Sequence, residues 1–200
     1  MKLTKFSHAC VCLEGPDGVL VIDPGIWTEP DALNGADAIL VTHEHSDHID
    51  RERLAGLGIP IHAPAGAAIP GLPFSGLTAG DDLELAGFRV TAVGGRHALI
   101  YDGQPDCANL GYVIDEVLYH PGDSVVRPGR PIETLLVPAQ GSWLKTSEAL
   151  DFMRAVAPTR AFAIHDGALN ERGLDSLNRW FGMAGGTEYR WLAPGESTEV

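Results

Sequence analysis

Three histidines and one aspartate fall within six residues in the stretch Thr42-His43-Glu44-His45-Ser46-Asp47-His48-Ile49-Asp50. His43 and His45 flank a single residue, so on extended backbone their imidazoles point the same way. Two neutral imidazoles on one side supply half of a tetrahedral zinc site. Asp47 and His48 follow, and a change to helical backbone there turns them toward a different point. One hexapeptide can thus serve two metal positions lying close together. Read without metal chemistry, the segment is a polar loop with Asp47 as a helix N-cap. That reading accounts for one residue and leaves three histidines unexplained.

The flanking residues indicate how such a loop is held. Ala38-Ile39-Leu40-Val41 is an apolar run that reads as a buried strand, and residues 49–57 read as a helix. The motif therefore sits where strand gives way to helix, the rim on which α/β proteins build sites. Further strands are predicted at 2–13, 19–23, 59–64, 110–114, 117–120, 134–138, 160–164 and 189–192. A hairpin is predicted from 82–85 and 88–93 across Ala86-Gly87, and another across Asp115-Glu116. Helices are predicted from a Thr146 cap to about Ala157, with Leu150, Met153 and Ala157 on one face, and from an Asn170 cap through Trp180 and Phe181. Residues 65–80 carry no decisive pattern, 101–107 read as a polar loop, and a polar tail ends the chain.

The 200 residues suit one domain spanning 1–200, since no linker, repeat or low-complexity segment interrupts them. An apolar fraction of 44% and a charged fraction of 20% are ordinary for a globular protein. A formal net charge of −13 argues against nucleic acid as a partner, because phosphate backbones require a basic footprint. No run is long enough to span a membrane and no apolar signal segment opens the chain, so a cytoplasmic protein is expected. The cysteines, Cys10, Cys12 and Cys107, are odd in number, which fits reduced thiols. Cys10 and Cys12 share one face of a predicted strand, where packing is the expected role. Nothing marks an oligomer interface.

Four more polar residues close predicted strands: His97, His120, Asp123 and His165. Strand ends on one edge of a sheet converge in space, so these can meet the hexapeptide. Taken singly, each has an ordinary explanation. His97 follows Gly94-Gly95 and suits a turn, Asp123 in Pro-Gly-Asp-Ser suits an Asx-turn, and His165 suits a hydrogen-bonded core position.

In that order and spacing the chain resembles the metallo-β-lactamase-fold metallohydrolases. His43, His45, Asp47 and His48 match the H-x-H-x-D-H motif; His97, Asp123 and His165 match the later motif positions. His8 within Phe6-Ser7-His8-Ala9, the strand end at Pro138 and the close Ile164-His165-Asp166-Gly167 are most similar to the ascorbate-6-phosphate lactonase-like branch. The resemblance implies an α/β fold, the αββα four-layer sandwich. It also implies that His43, His45 and His97 hold one metal, that Asp47, His48 and His165 hold a second, and that Asp123 bridges them.

Two divalent ions with a shared water deliver hydroxide at neutral pH, because coordination lowers the pKa of water from ~16 toward ~7. Asp47 is placed to orient that hydroxide and carry a proton toward the leaving group. Nitrogen and oxygen ligands without thiolate suit zinc, with manganese and iron compatible. The expected reaction is hydrolysis of an ester, lactone or phosphodiester bond in a small molecule. An iron-dependent oxidoreductase or dioxygenase on the same fold, and a non-catalytic metal-binding protein, are the alternatives. Trp143, Arg96 and His8 are candidate substrate contacts, with Arg96 suited to a phosphate or carboxylate; Trp27, Tyr101 and Gln140 lie in nearby loops. His62 is expected to be structural, and His120 is open.

Overall fold

The computed structural model describes residues 1–102, 104 and 106–200; Gly103 and Pro105, inside the loop expected at 101–107, lie outside the described residues. Two seven-stranded sheets form the centre of the fold. The first contains β1 (Lys2–Lys5), β2 (Val11–Glu14), β3 (Val19–Ile22), β4 (Ala38–Leu40), β5 (Ile61–Pro64) and β6 (Ser75–Leu77). The second contains β7 (Asp82–Leu85), β8 (Phe88–Gly94), β9 (Leu110–Ile114), β10 (Leu118–His120), β11 (Thr134–Pro138), β12 (Arg160–Ile164) and β13 (Glu188–Arg190). The last strand, β14 (Ser197–Glu199), returns to the first sheet and pairs antiparallel with β1. The helices are α1 (Arg51–Leu54), α2 (Thr146–Val156) and α3 (Glu171–Ala184).

The period-two alternation of the strands explains the layering. Val11, Leu13, Leu20, Ile22 and Leu40 of the first sheet face Val90, Tyr112, Leu136, Phe162 and Ile164 of the second. The alternate residues of the second sheet, Leu135, Val137, Ala161 and Ala163, face outward and are covered by Phe152 and Met153 of α2 and by Leu177 and Phe181 of α3. On the opposite side, Ile39 and Val41 pack beneath Ile49, Leu54, Ile69 and Leu72. The result is the expected αββα sandwich. Cys10 and Cys12 pack beside Phe6, Val21 and Ala32, the packing role expected of them, although Cys10 precedes β2 instead of sharing a strand with Cys12.

Three readings require correction. The strand expected over 2–13 is two antiparallel strands, β1 and β2. Phe6 N–H donates to Cys10 O at 2.9 Å, and His8 takes a left-handed φ of 63° to turn the chain. The polar tail is not free, because Thr198 lies opposite Leu3 in the first sheet. Its alternation is too short and too polar to signal a strand. The third correction concerns helices: the helix expected over 49–57 is the short α1, whose cap Asp50 accepts from Arg53 N–H at 3.0 Å, and Lys145, not Thr146, stands at the N-cap of α2. Asn170 caps α3 as read, accepting from Gly173 N–H at 3.0 Å.

Candidate metal centre

The hexapeptide leaves β4 as an irregular loop rather than as strand or helix. Gly25 permits this. A Cβ there would lie 1.9 Å from the backbone oxygen of Asp47. Ile26 N–H reaches Ser46 O at 2.9 Å, and Asp50 N–H reaches Pro24 O at 2.9 Å, so the 23–26 turn clamps the motif along its length. Glu44 points away, its carboxylate accepting from Ala68 N–H. His43, His45, Asp47 and His48 are left facing the rim shared by the two sheets.

The later residues arrive from separate elements. His97 stands in the loop after β8, Asp123 in the turn after β10, and His165 at the end of β12 with a left-handed φ of 58°. Gly122, at φ 62°, brings Asp123 inward; a Cβ there would meet Asn109 Oδ1 at 2.4 Å. Asn109 in turn accepts from Asp123 N–H at 3.0 Å and donates to Pro121 O at 3.0 Å.

The donors gather into two groups, each with its atoms within 4.8 Å of one another: His43, His45, His97 and Asp123, and His8, Asp47, His48 and His165. Asp123 Oδ2 lies 3.2 Å from His97 Nε2, 3.0 Å from His165 Nε2 and 3.8 Å from His43 Nε2, so one carboxylate touches both groups. His43 Nε2 and His45 Nδ1 are 3.0 Å apart. The polar environment fits a cation. His48 Nε2 and Asp123 Oδ1 are buried and 3.1 Å apart, and neither has any other polar partner among the described residues. Orphaned buried donors and acceptors of this kind are uncommon unless an ion or water completes them.

The atoms behind the histidines fix which nitrogen faces inward. His97 Nδ1–H donates to Ala98 O at 2.5 Å, so Nε2 is the nitrogen that faces Asp123. His48 Nδ1–H donates to Asp23 Oδ2 at 2.6 Å. Asp23 is fully buried with φ 53°, and its two oxygens also accept from Thr42 N–H and Thr42 Oγ1–H, both at 2.7 Å. Thr42 Oγ1 can then accept from His43 Nδ1–H at 3.1 Å. Histidine ligands are ordinarily oriented by such partners. In the sequence Asp23 reads only as the end of a strand before Pro24-Gly25, and the one signal of its role is an acidic residue closing an apolar strand.

Electrostatics follow from this packing. Burial, reinforced by His48, holds His43 well below the usual imidazole pKa, and burial with His97 lowers His45. Burial also opposes charge on His48, yet the carboxylates of Asp123 and Asp23 outweigh it and raise His48 well above the ordinary value. Asp123 is held well below the carboxylate range against its own burial, chiefly by His48 and His165. Asp47 is likewise lowered to about 2, its burial outweighed by the hydrogen bond from His8.

Among the candidate substrate contacts, Trp143 Nε1–H donates to Asp123 Oδ2 at 3.0 Å, and its ring sits 5.8 Å from those of His97 and His165. The Arg96 guanidinium is exposed and paired with Asp106. His8 joins the second group, 3.1 Å from Asp47 Oδ2. Trp27 packs edge-on against His8 at 4.7 Å. Tyr101 is 72% exposed. A cavity of about 50 Å³ opens beside His45 and His97 and is lined by Leu99, Ile100 and Cys107. His120 is structural: it donates to Ala9 O at 2.9 Å and accepts from Gly122 N–H at 3.1 Å. His62 stands in β5, outside both groups.

Known proteins share this fold. Residues 2–165 match the family model described as a beta-lactamase superfamily domain. The chain is 41% identical over 177 residues to Protein Rv0786c of Mycobacterium tuberculosis, covering 82% of this chain and 84% of that protein. It is 30% identical to the UPF0173 metal-dependent hydrolase Ta0764 of Thermoplasma acidophilum, over 82% and 83% of the two chains. Igni18, a metallo hydrolase from Ignicoccus hospitalis, superposes with a TM-score of 0.76 at 20% identity, covering 100% of this chain and 98% of its own.

Proposed function

The chain belongs to the β-lactamase superfamily and is a metal-dependent hydrolase, and on that premise we propose that it uses a dinuclear centre to cleave an ester or lactone bond of a small molecule. The observation that carries this reading is the convergence of seven of those eight donors, from four separate stretches, with the Asp123 carboxylate touching members of both groups. In it, His43, His45 and His97 hold one cation, Asp47, His48 and His165 the other, and Asp123 touches both. Zinc fits the donor set best, and manganese and iron are compatible with it.

Bound divalent cations would supply hydroxide at neutral pH and polarise the oxygen of the bond under attack. Asp47 keeps its carboxylate ionised and partly open to solvent, its side chain 26% exposed, so it can orient a water beside the cations. Trp143 anchors the shared carboxylate through Nε1–H and walls the site between His97 and His165. Phosphodiesters are the other bond class open to this chemistry. The rim favours neutral substrates: Leu99 is 70% exposed, Ile100 and Trp27 are also open, and Arg96 is engaged by Asp106. A cytoplasmic setting fits the free thiols of Cys10, Cys12 and Cys107.

The test is metal content by elemental analysis of protein prepared without chelator, beside His45→Ala and Asp123→Ala. About two zinc or manganese per chain, reduced in both variants, supports the reading. Screening lactones, esters and phosphodiesters with the loaded protein then assigns the bond. Absence of stoichiometric metal in the parent would sink the assignment of these residues as a working centre.

A further inference from the structure

His8 sits among the donors of the second group, and by proximity alone it could be counted as a ligand. Its other nitrogen argues otherwise. Gly167 N–H points at His8 Nδ1 from 3.2 Å. A backbone N–H can only donate, so Nδ1 must carry a lone pair. In the neutral ring the proton then resides on Nε2, which faces the acceptor Asp47 Oδ2 at 3.1 Å. Both contacts select the same tautomer. Ligation through Nε2 would move the proton to Nδ1 and set two donors against each other across 3.2 Å.

The ring has little freedom to escape this arrangement. Its centroid lies 4.0 Å from that of the His165 ring and 4.7 Å from that of Trp27. Its backbone is fixed by a left-handed φ of 63° and by His165 N–H donating to His8 O at 3.1 Å. The approach of Gly167 depends on its lacking a side chain. A Cβ there would come within 3.1 Å of both His8 Nδ1 and Trp27 Cε3. Strained backbone that survives at a site is held there by its surroundings.

We propose that His8 is a positioning residue and not a metal ligand: it donates Nε2–H to Asp47, fixes that carboxylate, and leaves the second cation a coordination position open to substrate. The proposal rests on the dinuclear reading above. Catalytic metal sites differ from structural ones in keeping such a position open, and a histidine ligand in place of the donor would fill it.

The test uses full-length protein labelled with ¹⁵N-histidine, recorded metal-free and with two equivalents of zinc. Long-range ¹H–¹⁵N spectra report which ring nitrogen carries the proton. The expected result is the Nε2–H tautomer for His8 in both states, while His43, His45, His48, His97 and His165 shift to metal-bound signatures. His8 changing to Nδ1–H with a metal-bound Nε2 overturns the proposal. Failure of those five histidines to respond to zinc overturns the dinuclear reading instead, so the two failures are distinct. Two variants add a second readout. His8→Leu should still take up two zinc ions, with the second position, the one Asp47 serves, loosened by roughly tenfold or more, the usual effect of losing an outer partner. His8→Gln, which restores an N–H near the Nε2 position, should recover affinity to within about threefold of the parent. A drop to one zinc in His8→Leu, unrescued by Gln, overturns the proposal. If the Leu variant does not fold, the spectra of the parent decide.

Discussion

Asp23 gives the most demanding test of how this centre is built, because it touches no proposed metal position and yet the geometry of His48 depends on it. Asp23→Asn keeps size and shape. One amide oxygen can still accept from Thr42 N–H, the bond measured at 2.7 Å. The second position becomes an NH₂, and it faces His48 Nδ1–H, formerly 2.6 Å from a carboxylate oxygen. Two donors now oppose each other in a fully buried place. The ring can relieve this only by moving its proton to Nε2, the atom that must bind metal. A hydrogen bond to a charged group contributes about 1.5–3 kcal/mol. Held against the ligating tautomer alone, that is roughly a 10- to 150-fold loss of affinity at the second position.

The assay is competition with a chromophoric chelator, starting from demetallated protein, so that the two affinities resolve separately. Thermal unfolding of the metal-free variant reports any general damage. Thr42→Val serves as the control. It removes the hydroxyl that can accept from His43 Nδ1–H while leaving the Asp23–His48 pair in place. It should therefore weaken the first position more than the second. A folded Asp23→Asn protein that binds both ions within threefold of the parent would refute the claim that Asp23 sets the tautomer of His48.

Three other outcomes are expected. His48 and His97 are raised by their carboxylate neighbours against the opposing effect of burial, so the metal-free protein holds protons that cations must displace. Metal affinity should rise with pH by up to ~tenfold per unit for each proton displaced and level off above those raised values, with proton release visible by calorimetry in buffers of different ionisation enthalpy. Gly25→Ala places a methyl group 1.9 Å from Asp47 O, so the motif must move; metal uptake should collapse while secondary structure by circular dichroism persists. Lys5, 1% exposed, pairs at 3.2 Å with Asp166, which also accepts from Trp191 Nε1–H at 2.8 Å. Lys5→Met leaves that carboxylate buried without its cation, and a loss of about 3–5 kcal/mol is expected, seen as a fall in Tm of roughly 10 °C.

Much of the architecture was legible because the two sheets are buried on both faces. Strands such as Thr134–Pro138 and Arg160–Ile164 then read as apolar runs with sharp ends. The ligand candidates were legible for a different reason. Their order and spacing together carried the signal; closing an apolar run is not enough by itself, because His120 does so at the end of β10 and is structural. The two edge strands of the first sheet were not legible. Ser75–Leu77 and Ser197–Glu199 have three residues each and mostly exposed side chains, so neither alternation nor hydrophobicity marks them. The break inside 2–13 was hidden because Phe6 to Cys10 continues the apolar character while reversing direction.

That reversal connects the unreadable region of the fold to the site. The described non-glycine residues with left-handed backbone are His8, Asp23, Ala86, Asp115, Glu116, Ala157 and His165. Ala86, Asp115 and Glu116 lie in hairpin turns, and Ala157 ends α2, where such geometry is ordinary. His8, Asp23 and His165 are different. Each stands where a strand or loop bends sharply toward the centre, and each bears a side chain that orients or completes it. Glycine would accept these conformations at lower cost but would carry no imidazole or carboxylate. Retaining the functional side chain at positive φ costs on the order of 1–3 kcal/mol per residue, so the surrounding contacts must outweigh it. They are present: Asp23 holds Thr42 and His48, His165 N–H binds His8 O, and Gly167 N–H binds His8 Nδ1. The strained residues thus brace the proposed ligands, and His8 and His165 also brace each other. Substitution at Asp23 or His8 should therefore register first in metal affinity and only second in stability.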